Sequence, residues 1–106
     1  MNWTSCHEIG MNTFERLQQQ RARLLEIARQ HGAHHVRIFG SVVRGEDQPG
    51  SDVDFLVEMD RGRTLLDLVG LQQALTNYLG REVDVITETG INRYLKDRIL
   101  AEAREL

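Results

Sequence analysis

Two aspartates one residue apart, Asp52 and Asp54, carry the strongest chemical signal in the chain. On an extended strand, residues i and i+2 project from the same face, so these carboxylates point together while Val53 turns the other way. Like charges held this close repel unless a cation sits between them. Hard oxygen donors favour Mg²⁺, which typically combines one or two protein carboxylates with substrate phosphates. Asp84, in the alternating run Glu82-Val-Asp-Val-Ile86, stands opposite that segment's apolar face and could complete a three-carboxylate platform. Such a platform suits two metal ions about 3.5–4 Å apart and in-line phosphoryl or nucleotidyl transfer.

Separated from Asp52 by ten residues, Gly40-Ser41 falls where a strand should meet a helix start. Backbone N–H groups at such a junction lack intrahelical partners and suit a terminal phosphate. Gly40 lets the backbone approach closely, and the Ser41 hydroxyl adds a donor. Arg44 lies about one helical turn on, within reach of the same phosphates. Ser51, next to the carboxylates, either bonds the nucleotide or caps the entry to the strand. Other chemistries fit worse. An EF-hand fails because Leu56 fills the third ligand position, and no Gly-Lys-Ser/Thr marks a Walker A loop. Cys6-His7 has no partner pair at metal-ligand spacing. His31, His34 and His35 lack an evident fourth ligand and read as solvated loop residues.

The elements that must hold these groups follow from periodicity. Asn12 with Glu15 has capping-box spacing, and Phe14, Leu17, Leu24, Leu25 and Ala28 then share one broad face. This predicts a helix over 13–31, stopped at Gly32. Val36, Ile38 and Phe39 predict a strand over 35–39, followed by a helical turn over 41–45. Residues 46–51, with the only proline, form a loop. Residues 52–58 alternate, with Val53, Phe55 and Val57 inward and Asp52, Asp54, Leu56 and Glu58 outward, which predicts a half-buried strand. Thr64 with Asp67 resembles a capped start to a helix carrying Leu65, Leu68, Val69, Leu75 and Leu79, ended by Gly80. A strand over 82–86 follows. A last helix places Ile91, Leu95, Ile99, Ala103 and Leu106 in one stripe. The order α-β-α-β-α-β-α implies an α/β (α+β) domain: one short mixed sheet flanked by helices.

With 106 residues there is room for one core, and residues 1–11, which lack any period, read as a flexible extension to a domain over 12–106. A net charge of −3 argues against general binding to long nucleic acid, though a metal can supply positive charge to one nucleotide. A single cysteine rules out an internal disulfide framework and suits the cytoplasm. No apolar run approaches a membrane span, and no signal-peptide pattern opens the chain.

The combined string Gly40-Ser-Val-Val-Arg44-Gly45 and Ser51-Asp-Val-Asp54-Phe-Leu-Val57 resembles the GSxxRG…SDxDxxV signature of the DNA polymerase β-type nucleotidyltransferases. The likeness is strongest to their minimal nucleotidyltransferase group, which includes MntA-type antitoxins paired with HEPN toxins, and it spans nearly all of residues 12–106. The resemblance implies a polymerase β-like fold, with Asp52 and Asp54 binding two Mg²⁺ ions. It implies that Asp84 binds the second metal and helps activate an attacking hydroxyl, while Gly40 and Ser41 hold the triphosphate of ATP. It also implies transfer of AMP onto a tyrosine of a HEPN ribonuclease encoded by an adjacent gene, in a hetero-oligomer, silencing it. Two other readings stay open: a non-catalytic antitoxin that acts by stoichiometric binding to the toxin, and a nucleotidyltransferase for a small molecule. The latter usually needs an additional substrate-binding domain.

Overall fold

The computed structural model describes residues 12–48 and 51–106. The extension over residues 1–11 lies outside them. The capping box closes as expected: Glu15 donates its amide to Asn12 Oδ1 at 2.8 Å, and Asn12 donates back to Glu15 Oε1 at 3.1 Å. It opens α1 (Thr13–Gln19), and α2 (Arg21–Gln30) follows after a break at Gln20, where ψ is 14°. The single predicted helix is therefore two segments, although Phe14, Leu17, Leu24 and Ala28 remain one buried stripe. Nothing in the run of glutamines at 18–20 explains the break.

Next come β1 (Ala33–Phe39), α3 (Ser41–Arg44), β2 (Val53–Met59), α4 (Leu65–Leu79), β3 (Val83–Thr87), a 3₁₀ turn (Glu88–Gly90), α5 (Arg93–Glu102) and β4 (Arg104–Glu105). The strands form one mixed sheet in the order β3-β2-β1-β4. β1 runs antiparallel to β2 and β4, whereas β2 and β3 are parallel and joined through α4. Leu71 and Leu75 of α4 join Leu24 and Ala28 of α2 over Ile38, Val53, Phe55, Val57, Val83 and Val85 to make the core. Leu65 is 73% exposed, so the buried stripe of α4 begins later than the sequence suggested.

β1 contains a bulge. His34 pairs with Glu58 but Arg37 with Leu56, so β1 carries one residue more than β2 across this stretch. Unbroken alternation from Ala33 would have turned His35 and Arg37 into the core. The extra residue, with His35 at φ +50°, restores Val36 and Ile38 to it instead. The strand expected over 35–39 thus begins at Ala33, so His34 joins His35 within it, and neither lies in a loop as the reading of the histidines expected. On the opposite face Arg37 is buried, and Leu56 is fully buried as well, so β2 is covered on both sides at its centre rather than half-buried throughout.

The last predicted helix is also corrected. It stops at Glu102; Ala103 is extended, and Arg104–Glu105 pairs with β1. Leu106 donates its amide to Val36 O at 3.4 Å and is buried, which a continued helix would not have allowed. An open edge of β1 offers backbone partners to the chain end, and the core offers Leu106 an apolar site. Leu106→Ala should cost about 2 kcal/mol in urea unfolding, near the low end for buried leucine because the side chain keeps 8% exposure. A change under about 0.5 kcal/mol would show that β4 is not anchored by this side chain. Among the described residues, no helix is long and apolar enough to cross a membrane.

Candidate active site

The end of β1 and the starts of β2 and β3 meet at one end of the sheet. Phe39 is in register with Asp54, and Asp54 with Asp84, so both carboxylates lie in one cross-strand row. Asp52 stands at the entry to β2. The apolar neighbours Val53, Val83 and Val85 are buried in the core, and this fixes the phase that turns the aspartates away from it. Asp52 and Asp84 are exposed, while Asp54 is partly buried. Burial pushes the Asp54 carboxyl up to about 6, and the negative charges of Asp84 and Asp52 push the same way; Arg44 opposes them. Three aspartates that repel one another, one of them partly desolvated, are a donor set that a hard divalent cation would relieve. The residues present therefore fit Mg²⁺.

Gly40 packs directly against this row. Its backbone has φ +82° and ψ −153°, and a Cβ there would overlap Asp54 Oδ2. Only glycine adopts this conformation readily and leaves that space open. Ser41 begins α3, a single turn of four residues. A phosphate here would depend on individual donors, because so short a helix carries little macrodipole. Gly40 N–H donates to Glu102 Oε2 at 2.8 Å. Arg44 donates Nε to Glu46 Oε1 at 2.9 Å and Nη1 to Glu102 Oε1 at 2.5 Å. These hydrogen bonds, Glu46 first, raise the already high pKa of Arg44.

Ser51 is held within its loop. Its hydroxyl accepts from Gln48 N at 2.8 Å, and its carbonyl accepts from Arg81 Nη2 at 2.7 Å. Arg81 also lies 3.6 Å from Asp47 Oδ2, which accepts from Thr13 Oγ1 at 2.6 Å. Arg81 thus ties Ser51 and Asp47 to the start of β3 and, through Asp47, to α1. Sequence reasoning missed both Arg81 and Glu102. Their partners lie 30 and 62 residues away, and no local pattern announces such pairs.

The structure brings His34 and His35 to one carboxylate, Glu58, but leaves His31 apart from them. His31 Nδ1 lies 3.0 Å from Ile27 O, whereas His34 Nδ1 lies 2.8 Å from Asp60 Oδ1 and His35 Nδ1 lies 2.6 Å from Glu58 Oε2. His35, Glu58 and Glu88 do have ligand atoms within 4.8 Å of one another. The buried guanidinium of Arg37, 2.8 Å from Glu88 and 3.7 Å from Glu58, already supplies positive charge to that cluster. A cleft of about 300 Å³ beside it, lined by Glu58, Met59, Thr87, Glu88 and Thr89, contains none of the three aspartates. The chemistry of the carboxylate row therefore outweighs the shape of that cleft.

Comparison with known proteins gives a consistent picture. The family described as the nucleotidyltransferase domain matches residues 21–106. The protein MJ0435 of Methanocaldococcus jannaschii, assigned by name to the protein adenylyltransferases, is 48% identical over 76% of this chain and 87% of its own length. A solved structure of a minimal nucleotidyltransferase superposes with a TM-score of 0.78 at 43% identity, covering 92% of this chain and 98% of the other. The fold is shared more distantly with a solved complex of a tri-AMPylated Shewanella oneidensis HEPN toxin and an MNT antitoxin. There the TM-score is 0.63 at 17% identity, over 83% of this chain and 69% of the other.

Proposed function

Because the chain belongs to the nucleotidyltransferase domain family, we propose that it is a protein adenylyltransferase of the antitoxin type. It transfers AMP from Mg–ATP to a tyrosine of a HEPN ribonuclease toxin encoded beside it, in the cytoplasm, and thereby silences that toxin. The observation that carries this reading is the in-register pair Asp54–Asp84, with Asp52 beside it and Gly40 packed against Asp54 Oδ2. The names of MJ0435 and of the HEPN–MNT complex support the choice of AMP and of partner.

In this mechanism Asp52, Asp54 and Asp84 would hold Mg²⁺, and we propose two ions. When bound, Mg²⁺ would neutralise phosphate charge and stabilise the charge that develops during transfer. The donors around Gly40, Ser41 and Arg44 orient the triphosphate. Ser51 shapes the nucleotide edge through the loop that Arg81 pins. Asp84, exposed at the rim, accepts the proton of the tyrosine hydroxyl. The phenolic oxygen then bonds to the α-phosphorus as its bond to the bridging oxygen breaks, and pyrophosphate leaves. Exposure of Asp52 and Asp84 leaves the site open to a macromolecular acceptor, which suits a hetero-oligomer.

The test is to incubate the protein with ATP, Mg²⁺ and the product of the adjacent gene, and to weigh that product intact. The expected result is a gain of one or more AMP units, absent with the Asp52→Asn/Asp54→Asn double variant. A toxin silenced without any mass change would replace this reading with stoichiometric binding.

A further inference from the structure

Glu102 occupies two of the three groups assigned above to the triphosphate. One carboxylate oxygen takes the Gly40 N–H at 2.8 Å and the other takes Arg44 Nη1 at 2.5 Å. A carboxylate bridging a backbone amide and a guanidinium presents charge and acceptor geometry much like those of a phosphate. A backbone amide has a single hydrogen, so the Gly40 N–H given to Glu102 is not free for a phosphate at the same time. The negative charge of Glu102 also reaches Asp54, adding to the carboxylate repulsion there.

We infer that Glu102 is an internal competitor for the triphosphate: the nucleotide binds by displacing its side chain from Gly40 and Arg44. The inference rests on the nucleotide-transfer reading and goes further, because it assigns the strength of nucleotide binding to a residue outside the signature. The surroundings of Glu102 permit the exchange. It is the last residue of α5, a helix with no buried residue, and its side chain is 19% exposed. The chain beyond is anchored independently, since β4 pairs with β1 and Leu106 enters the core. The carboxylate can therefore swing away without disturbing the sheet. Arg44 keeps its bond to Glu46 meanwhile, so it stays in place to meet a phosphate. A site filled by its own side chain has its ligand affinity reduced to the fraction of time the site stands free.

The experiment compares wild type, Glu102→Gln and Glu102→Ala for binding of Mg–ATP and of Mg–tripolyphosphate, with Glu105→Gln, an exposed carboxylate of β4, as a control. Gln matches Glu in size but carries no charge and offers one acceptor oxygen where the bridge uses two, and Ala removes the bridge altogether. Both Glu102 variants should bind both probes about tenfold more tightly, whereas Glu105→Gln should change either affinity less than threefold. Loss of a merely structural strut would weaken binding and could not tighten it. In the wild-type protein, carbodiimide labelling of the Glu102 carboxylate should rise when Mg–tripolyphosphate is added. Wild-type binding with no gain in either variant, or labelling that does not rise, would overturn the inference and leave the nucleotide reading intact. Absence of binding to every form would overturn both.

Discussion

Asp54→Asn should unfold at a higher temperature than the wild-type protein at pH 7.5 without divalent cations, and should transfer AMP about a thousand-fold more slowly. The two effects have one cause. The folded protein holds the Asp54 carboxyl at about 6 against an ordinary 3.8, because burial and then the Asp84 and Asp52 charges disfavour its ionised form. The folded state thus binds this proton more tightly than the unfolded chain does. Ionising Asp54 therefore opposes folding: the penalty is absent below pH 3.8, grows as pH rises, and is complete above about 6. A rise of that size corresponds to about 3 kcal/mol for a group shielded from water. Asp54 is only partly buried, so solvent screening reduces the expected penalty to about 1–2 kcal/mol.

Asparagine keeps the shape and removes the charge. The stability advantage of the variant should therefore appear between about pH 4 and 6 and stay constant above. Mg²⁺ should raise the wild-type melting temperature and leave that of Asp54→Asn nearly unchanged. The loss of transfer follows from removing a charge that the metal and the developing negative charge both require, and groups in such positions are commonly worth a hundred- to a thousand-fold. Thermal melts in chelator across pH 4–8, set beside the AMP-transfer rate, check both halves. A variant no more stable than wild type at any pH would show that the three aspartates do not strain the fold, and that the fit to a cation needs another basis.

The carboxylate row was legible in the sequence because it depends on local rules. Period-two alternation fixes which way Asp52, Asp54 and Asp84 face, and parallel pairing of β2 with β3 needs only a crossover helix between them. What stayed hidden was set by contacts between distant segments. The bulge at His35 exists because Ala33 and Val36 both belong in the core, and an odd spacing between two inward residues can be read as a bulge only once both are known to be buried. The end of α5 was misread because Leu106 fits the helical stripe as well as it fits a strand end, and the open edge of β1 decided between them. Glu102 and Arg81 were missed for the same reason: a charged residue on a helix face or before a strand has the same sequence appearance whether or not it meets a backbone group across the fold. Propensity and pattern place elements, while partners of this kind follow from the packing of the whole chain.

Gly40→Ala should lose at least about a hundred-fold in AMP transfer, together with about 2–4 kcal/mol of stability, and Gly45→Ala provides the contrast that isolates the reason. Both glycines have positive φ, +82° and +74°. At Gly45, however, ψ is 22° and a Cβ would meet nothing within 4 Å, so alanine there incurs only the left-handed backbone penalty of about 1 kcal/mol. At Gly40 the region is one that essentially only glycine occupies, with a cost of about 1–3 kcal/mol, and the new methyl would overlap Asp54 Oδ2. Two relaxations are open and both damage the site. The Asp54 carboxylate can rotate away, which breaks the row it forms with Asp84, or the Gly40 backbone can move, which withdraws the amide and Ser41 from the phosphates. A misplacement of about 1 Å near a reacting centre can cost a hundred-fold in rate. Urea unfolding and single-turnover transfer on the two variants separate backbone strain from crowding. If Gly40→Ala behaves like Gly45→Ala in both measurements, Gly40 matters only for the turn, and its contact with Asp54 plays no part in catalysis.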